Sequence, residues 1–236
     1  MLEEDPQLQS VFDRLVRDKT QLKVLEVGCG SCSYLDMGAN TYLVGIDLSE
    51  KQLERNTILD EKILGDVETY NFPENEYDVI VCWWILEHLD RPERALANCQ
   101  KALKKDGILI VAVPNVMSLK GLLTKYTPHQ FHVWVYRYIF GEQLAGVDDR
   151  VPFRTFLRQT ISPKAIQEFA RHHNLNVEHF YLYENPRQKR LRNRHPAIDT
   201  SWKVLATVTK ALTFGQIDAE LTDFIAVLRK TEATHS

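Results

Sequence analysis

The chain's 236 residues fit one large domain, or one domain carrying a sizeable insertion, and a hydrophobic share of 44% supplies an ordinary globular core. A net charge of −3 gives no global attraction for nucleic acid or an anionic membrane, so any such contact needs a local basic patch. The acidic start MLEEDPQLQS lacks signal-peptide character, no apolar run is long enough to span a bilayer, and four cysteines without a secretory signal suit reduced thiols, so a cytoplasmic protein is expected.

Leu8, Val11, Phe12, Leu15 and Val16 recur at helical spacing, which predicts an amphipathic helix over residues 6–18. Lys23–Val27 reads as a short apolar strand running into Gly28, Cys29 and Gly30. Thr41–Ile46 is a second strand, ending at Asp47. Ser49 or Asp47 can cap a helix through about Leu59. Lys62–Leu64 is a brief third strand. Tyr77–Cys82 is a fourth, with so little polar alternation after Asp78 that it suits the centre of a parallel sheet covered on both faces. Pro92 opens a helix to about Leu103, and Asp106-Gly107 turns the chain into a fifth strand, Ile108–Val113. Strands alternating with helices at this spacing imply a parallel sheet with right-handed crossovers. The pattern breaks after Pro114, where residues 115–160 are rich in aromatics and hold no clear strand. Ser162-Pro163 restarts a helix to about His173. Val177–Tyr183 and Phe224–Leu228 are the last two strands, separated by a basic stretch, Asn185–Ile198, and a helix over roughly Trp202–Leu212.

Ligands of open α/β sheets bind beyond the carboxyl ends of the strands, where VLEVGCG places Gly28 and Gly30. Lacking a Cβ, glycine lets the backbone turn sharply and approach a ligand. Asp47 ends the second strand and can accept both hydroxyls of a ribose. Asp66 follows the third and can accept an adenine amino proton, while Glu26 lies beside the loop. None of these acids supplies the positive charge that a triphosphate needs. No lysine followed by Ser or Thr comes after the glycines, which excludes a P-loop. The third glycine of a dinucleotide fingerprint would fall at Ser33, which argues against a bound pyrophosphate. Cys29 and Cys32 are formally a C-x-x-C pair, but no second ligand pair lies at zinc spacing and the pair sits inside the glycine loop.

With these pieces in order, the sequence resembles the class I, Rossmann-like family of S-adenosylmethionine-dependent methyltransferases over about residues 22–114, and more weakly to its end. VLEVGCG is similar to that family's first motif, YLVGIDLS to its second and LGDVE to its adenine-side motif. EYDVIVCWWILEHL resembles its fourth strand with a Glu-His-Leu ending, and LKKDGILIVAVPN its fifth. The resemblance implies an α/β fold with a doubly wound, mostly parallel seven-stranded sheet whose last strand is antiparallel. It implies one methyltransferase domain across 1–236: an N-terminal helix in 1–20, a cofactor-binding core in 21–114, a substrate lid in 115–160 after the fifth strand, and a C-terminal part in 161–236. A second insertion, at about 185–220, precedes the last strand. S-adenosylmethionine is the implied cofactor and S-adenosylhomocysteine its product, with contacts at Glu26, Gly28, Gly30, Asp47, Leu48, Asp66, Val67, Cys82 and Trp83. No metal is expected. Ubiquinone-type O-methyltransferases are similar after the fourth strand but place another carboxylate three residues before Glu87, where this chain has Trp84. Cys32 departs from the glycine usual in the family's loop.

The acceptor is expected to be a small molecule, with O-methylation of a sugar, quinone or lipid-linked metabolite ahead of N- or C-methylation. A non-catalytic adenosylmethionine-binding partner subunit is the alternative of another class. His88, after the fourth strand, is a candidate general base or a residue that holds its loop. His129 and His132, at i and i+3 in the lid, are candidates to face the acceptor. Trp84, Tyr126 and Trp134 are candidates to line its pocket. Arg190 and Arg192 belong to a stretch with no acidic residue, followed by the apolar stripe Trp202, Val204, Leu205, Val208, Leu212 and Phe214. Such a pair suits a cap over an anionic acceptor or a homodimer contact, ahead of peripheral membrane contact; nucleic acid is not expected.

Overall fold

Runs of Val, Ile and Leu uninterrupted by polar residues form strands here because both faces of the sheet are covered. The computed structural model describes residues 5–31, 38, 40–138, 141–147, 152–194 and 196–232. Its strands are β1 (Leu22–Val27), β2 (Thr41–Asp47), β3 (Glu61–Leu64), β4 (Tyr77–Trp83), β5 (Leu103–Pro114), β6 (Leu175–Tyr183) and β7 (Asp223–Lys230). They form one sheet in the order β3-β2-β1-β4-β5-β7-β6, in which β7 alone runs against the others. This is the doubly wound, seven-stranded α/β architecture expected, with its reversed last strand.

The helices are α1 (Leu8–Val16), α2 (Glu50–Arg55), α3 (Pro92–Ala102), α4 (Leu119–Tyr126), α5 (His129–Tyr138), α6 (Pro163–His172), α7 (Pro186–Arg194) and α8 (Pro196–Leu212). Alternate strand residues point to opposite faces, and each set has its own cover. Ile80, Leu109, Val111, Phe224 and Ala226 pack with Leu96 and Cys99 of α3 and Ile166 and Ala170 of α6. Val79, Val81, Trp83, Ile108, Ile110 and Ile225 pack with Leu8 and Phe12 of α1. Each such side chain contributes about 1.5–3 kcal/mol by leaving water. At one edge, β3 is only four residues long and exposes Glu61 and Lys62, which discourages pairing with another chain.

Several boundaries differ from the sequence-based expectation, each for a local reason. Helix α2 stops at Arg55, not near Leu59. Asn56 ends it with an extended backbone while its Nδ2 donates to the Gly30 carbonyl at 3.3 Å, so a side chain tied to the glycine loop outcompetes the next helical turn. Strand β5 starts at Leu103, because Leu103 already pairs with Tyr77. The Asp106-Gly107 turn survives only as an irregularity in that ladder, with Asp106 at φ +60°. The basic stretch is helical as α7, and α8 begins at Pro196, ahead of Trp202. Among the described residues, 115–160 carry two α-helices, α4 and α5. Ser118 starts the first by accepting the Gly121 N–H at 2.9 Å.

The reversal of β7 carries a late residue to the ligand-binding end of the sheet. Its first residue, Asp223, lies opposite Pro114, the last of β5, and so arrives level with the carboxyl ends of the parallel strands.

Candidate functional site

The crevice of a doubly wound sheet opens where strand order reverses, here between β1 and β4, whose successors lie on opposite sides. Gly28 and Gly30 leave β1 at this point with φ of +64° and +54°, a backbone that side chains disfavour. The loop is held from β2. Asp47 Oδ2 accepts the Gly30 N–H at 2.9 Å, and its Oδ1 accepts the Ser49 N–H at 2.9 Å. Asp47 thus joins the glycine loop to the start of α2, a role its sequence position did not reveal. Two such bonds leave acceptor capacity on an ionised carboxylate, which offers about four lone-pair sites.

The other cofactor candidates reach the same end of the sheet, in different ways. Glu26 is buried on β1 between Gly45 and Val81. Leu48 is 67% exposed beside Asp47, an apolar plate at the rim. Asp66 is half-buried, with Oδ1 accepting the Glu68 N–H at 2.8 Å. Val67 is buried and its carbonyl accepts from Asn98 Nδ2 at 2.8 Å. Cys82 and Trp83 end β4, but their side chains enter opposite layers of the core, so what they offer the crevice is backbone. The Cys29 thiol is buried, and burial with nearby Asp47 and Glu26 pushes it up to about 12, which makes it inert toward redox or metal chemistry. Cys32, the other half of that pair, lies outside the described residues.

This donor set suits an adenosine-bearing ligand without phosphates. Carboxylates stand at the ends of β1, β2 and β3, and among the described residues a Cβ added at Gly30 would find only Gln52 Oε1, at 3.9 Å, so that side of the backbone is open to close approach. If Asp47 holds both the loop and a ribose, Asp47→Ala is expected to weaken S-adenosylhomocysteine binding by about 1–3 kcal/mol in calorimetry. Undiminished affinity would remove Asp47 from the site.

Beyond β4 the three candidate histidines form one neighbourhood. Trp84 leaves the strand at φ +55°, a strained backbone for a bulky residue, pinned by its N–H to the Ala112 carbonyl at 2.9 Å. His88 follows on a short 3-10 turn, Leu86–His88. Its Nδ1 donates to the Arg154 carbonyl at 2.8 Å, and its ring meets Phe153 edge-on. That bond fixes the neutral tautomer and leaves Nε2 with a lone pair. Burial leaves its proton affinity below the ordinary imidazole value; the bond to the Arg154 carbonyl pulls the other way, and nearby His129 adds to the lowering. His129 is close enough to repel positive charge on both His88 and His132.

His132 is committed elsewhere. Its Nε2 lies 2.6 Å from Thr127 Oγ1, which is itself 2.8 Å from the Leu123 carbonyl. His132 therefore braces the turn between α4 and α5.

Two buried acids that sequence reasoning gave no role lie at this end of the sheet. Glu87 is buried, with Oε1 4.0 Å from His88 Nε2. Asp223 is fully buried at the start of β7, 3.5 Å from Lys120 Nζ of α4. The signal for Glu87 was its place immediately before His88. Asp223 was recoverable only as an acid heading a strand that runs backwards.

The structure does not gather the remaining proposed substrate residues: they are spread over α4, α5 and α7. Tyr126 is 79% exposed at the end of α4; Trp134 is half-exposed and stacks on Phe131, with ring centroids 6.0 Å apart. Arg190 is exposed on α7. Arg192 is not available to a substrate. Its side chain lies among Glu184, Asp199 and Glu220 at 3.1, 3.4 and 3.8 Å, and ties α7 to β6, α8 and the segment before β7. The carboxylates that claim it lie outside the stretch from which it was assigned, or in the next helix.

Residues 25–111 match the family described as "Methyltransferase domain". An uncharacterised protein of Methanocaldococcus jannaschii is 30% identical over 110 residues, covering 47% of this chain and 48% of that protein. The ubiquinone biosynthesis O-methyltransferase of Glaesserella parasuis is 26% identical over 125 residues, covering 42% of this chain and 50% of that enzyme. The chain spans about half the length of these curated relatives. Among solved structures, an S-adenosylmethionine-dependent methyltransferase from Mesorhizobium loti superposes with a TM-score of 0.56 at 14% identity, covering 98% of this chain and all of that one.

Proposed function

We propose that the chain is a class I, Rossmann-like S-adenosylmethionine-dependent methyltransferase, a reading supported by the match of residues 25–111 to the methyltransferase domain family, and that it transfers a methyl group from S-adenosylmethionine to an oxygen of a small-molecule acceptor. The observation that carries the reading is the glycine loop at the β1–β4 switch point, bound through the Gly30 N–H to a strand-end carboxylate, Asp47. Bound there, the cofactor supplies a methyl already activated by its sulfonium charge. The chain's own task is then to align the acceptor and exclude water. Asp47, Glu26 and Asp66 hold the adenosine and amino-acid portions, Trp84 and the lid helices cover the reacting end, and His88 Nε2 takes the acceptor's proton. Calorimetry should detect S-adenosylhomocysteine and not NAD, and a metabolite extract supplied with methyl-labelled cofactor should yield a labelled product. Failure to bind S-adenosylhomocysteine would sink the proposal.

For the acceptor we favour a hydroxylated quinone or lipid-linked metabolite. The curated ubiquinone O-methyltransferases support this by likeness over 42% of this chain. The surface of the insertion supports it independently. Lys189, Arg190 and Arg194 are exposed on α7, while Val204, Leu205, Val208 and Leu212 leave an apolar face of α8 in solvent, with Phe214 93% exposed beyond it. A mixed cationic and apolar surface suits an amphiphilic, anionic acceptor. Arg190→Ser with Arg194→Ser is expected to raise the acceptor's Michaelis constant by up to roughly tenfold, the scale of two exposed ionic contacts, and to blunt its salt dependence. Arg192 is left intact, because its loss would loosen the insertion by about 1–3 kcal/mol. Flotation with anionic liposomes and light scattering distinguish this role from membrane docking or a homodimer contact. Unchanged kinetics, oligomeric state and lipid binding would leave a merely solvated helix.

A further inference from the structure

The two helices after β5 turn apolar side chains away from the core. Along α5, Phe131, Trp134 and Tyr138 recur at i, i+3 and i+7, which aligns them on one face. Phe131 stacks on Trp134 with ring centroids 6.0 Å apart, and Trp134 meets Tyr138 at 5.7 Å, so the three rings make a continuous row. On α4, Leu123 and Tyr126 repeat the spacing. All five side chains are between 49% and 79% exposed. His129, two residues before Phe131, points the other way on a helix of 3.6 residues per turn. A single exposed apolar residue is ordinary; an aligned row of them marks a contact surface.

The charge of this segment is one-sided. From Asn115 to Gly141 the sequence holds no Asp or Glu, in a chain whose net charge is −3, while Lys120, Lys125 and Arg137 are cationic. Lys120 faces Asp223. Lys125 lies in the last turn of α4, and Arg137 donates to a neutral partner, the Ala145 carbonyl, at 2.9 Å.

We propose that the outer face of α4 and α5 docks the protein on an anionic lipid surface. The aromatic row sits among the headgroups, and the charges of Lys125 and Arg137 attract lipid phosphates. Trp and Tyr suit that depth because the ring body is apolar and its polar tip stays wet. A second copy of the chain fits this face worse, since the same acid-free surface on both sides brings like charges together. No helix among the described residues is long and apolar enough to cross a bilayer, so the contact lies on the surface. The root of the lid fixes where the face stands. The Leu119 N–H donates to the Asp218 carbonyl at 2.8 Å and the Asp218 N–H to the Met117 carbonyl at 3.1 Å, which ties α4 to the segment before β7 at the carboxyl end of the parallel strands. Docking therefore brings the crevice end of the sheet to the bilayer, where a lipid-linked acceptor is concentrated. Docking goes beyond the methyl-transfer reading and does not require it.

Flotation with vesicles of phosphatidylcholine and phosphatidylglycerol in equal parts tests this. The wild-type protein should float with them and should bind vesicles of phosphatidylcholine alone roughly tenfold more weakly. Phe131→Ser, Trp134→Ser and Tyr138→Ser together should lower affinity for the mixed vesicles by about tenfold or more, with S-adenosylhomocysteine affinity nearly unchanged. In a second measurement, brominated phosphatidylcholine in the mixed vesicles should quench the part of the fluorescence that Trp134→Phe removes. Wild-type protein that does not float would overturn docking, as would an unquenched Trp134 or a folded triple variant that floats as well as the wild type. Equal binding to both kinds of vesicle would overturn the anionic preference. A dimer in light scattering that the triple variant breaks would assign the face to a second copy and overturn docking equally. If the triple variant loses S-adenosylhomocysteine affinity through misfolding, the quenching decides. None of these measurements needs turnover, so failure of docking and failure of methyl transfer are read separately.

Discussion

Gly28→Ala is expected to destabilise the protein by about 2–5 kcal/mol and to abolish cofactor binding at ordinary concentrations. The figure has two sources. Alanine at φ +64° costs about 1–2 kcal/mol because its Cβ crowds the following carbonyl. The same Cβ would lie 2.5 Å from both Cδ1 and Cγ1 of Ile85 and 3.0 Å from its Cβ, an overpacking worth about 1–3 kcal/mol more. Ile85 belongs to the turn that carries His88, so the clash would also push the two halves of the site apart. Adding Ile85→Ala should recover the steric part alone, a coupling of about 1–3 kcal/mol in a double-mutant cycle of urea denaturation. Strictly additive losses would mean that glycine is needed here for its backbone alone.

His88→Ala should slow methyl transfer by about a hundredfold or more, the usual worth of a positioned base, with S-adenosylhomocysteine affinity nearly unchanged. Alanine also loses the bond to the Arg154 carbonyl and the contact with Phe153, so the slow variant alone would not separate a base from a brace. His88→Asn separates them. Its amide nitrogen sits close to where Nδ1 sat and can still donate to that carbonyl, yet it offers no basic nitrogen. A His88→Asn enzyme as slow as His88→Ala identifies the ring as the proton acceptor, and one restored to normal turnover would reduce His88 to a loop tether.

Legibility in the sequence followed distance along the chain. Strands β1, β2, β4 and β5 were readable because each is a local apolar run, and the cofactor crevice because its loop and acids follow those strands directly. What settled the other half lies far away in sequence. Asp223 reaches Lys120 across more than a hundred residues because β7 is reversed. His132 looked like a free catalyst, but its Nε2 is hydrogen-bonded to Thr127 Oγ1 in the turn between α4 and α5. Arg192 was one of several arginines until Glu184 and Glu220 surrounded it. Residue types and periodicity record which groups are present; the pairing of buried polar groups is decided by tertiary geometry, which leaves no periodic trace.

The position of β7 also governs how the chain can fold. This strand is made after every other strand of the sheet, yet it belongs between β5 and β6 and hydrogen-bonds to both. Until it emerges from the ribosome, the Ile108–Val113 edge stands unpaired and β6 has no partner to join it to the sheet. A nascent chain must therefore carry an apolar, open-edged intermediate for about half of its synthesis, from the completion of β5 to that of β7, closed by contacts of long sequence separation, which are slow to form. Misfolding and chaperone capture should concentrate at that one gap, and substitutions in β7 that leave the finished protein stable should still lower its yield.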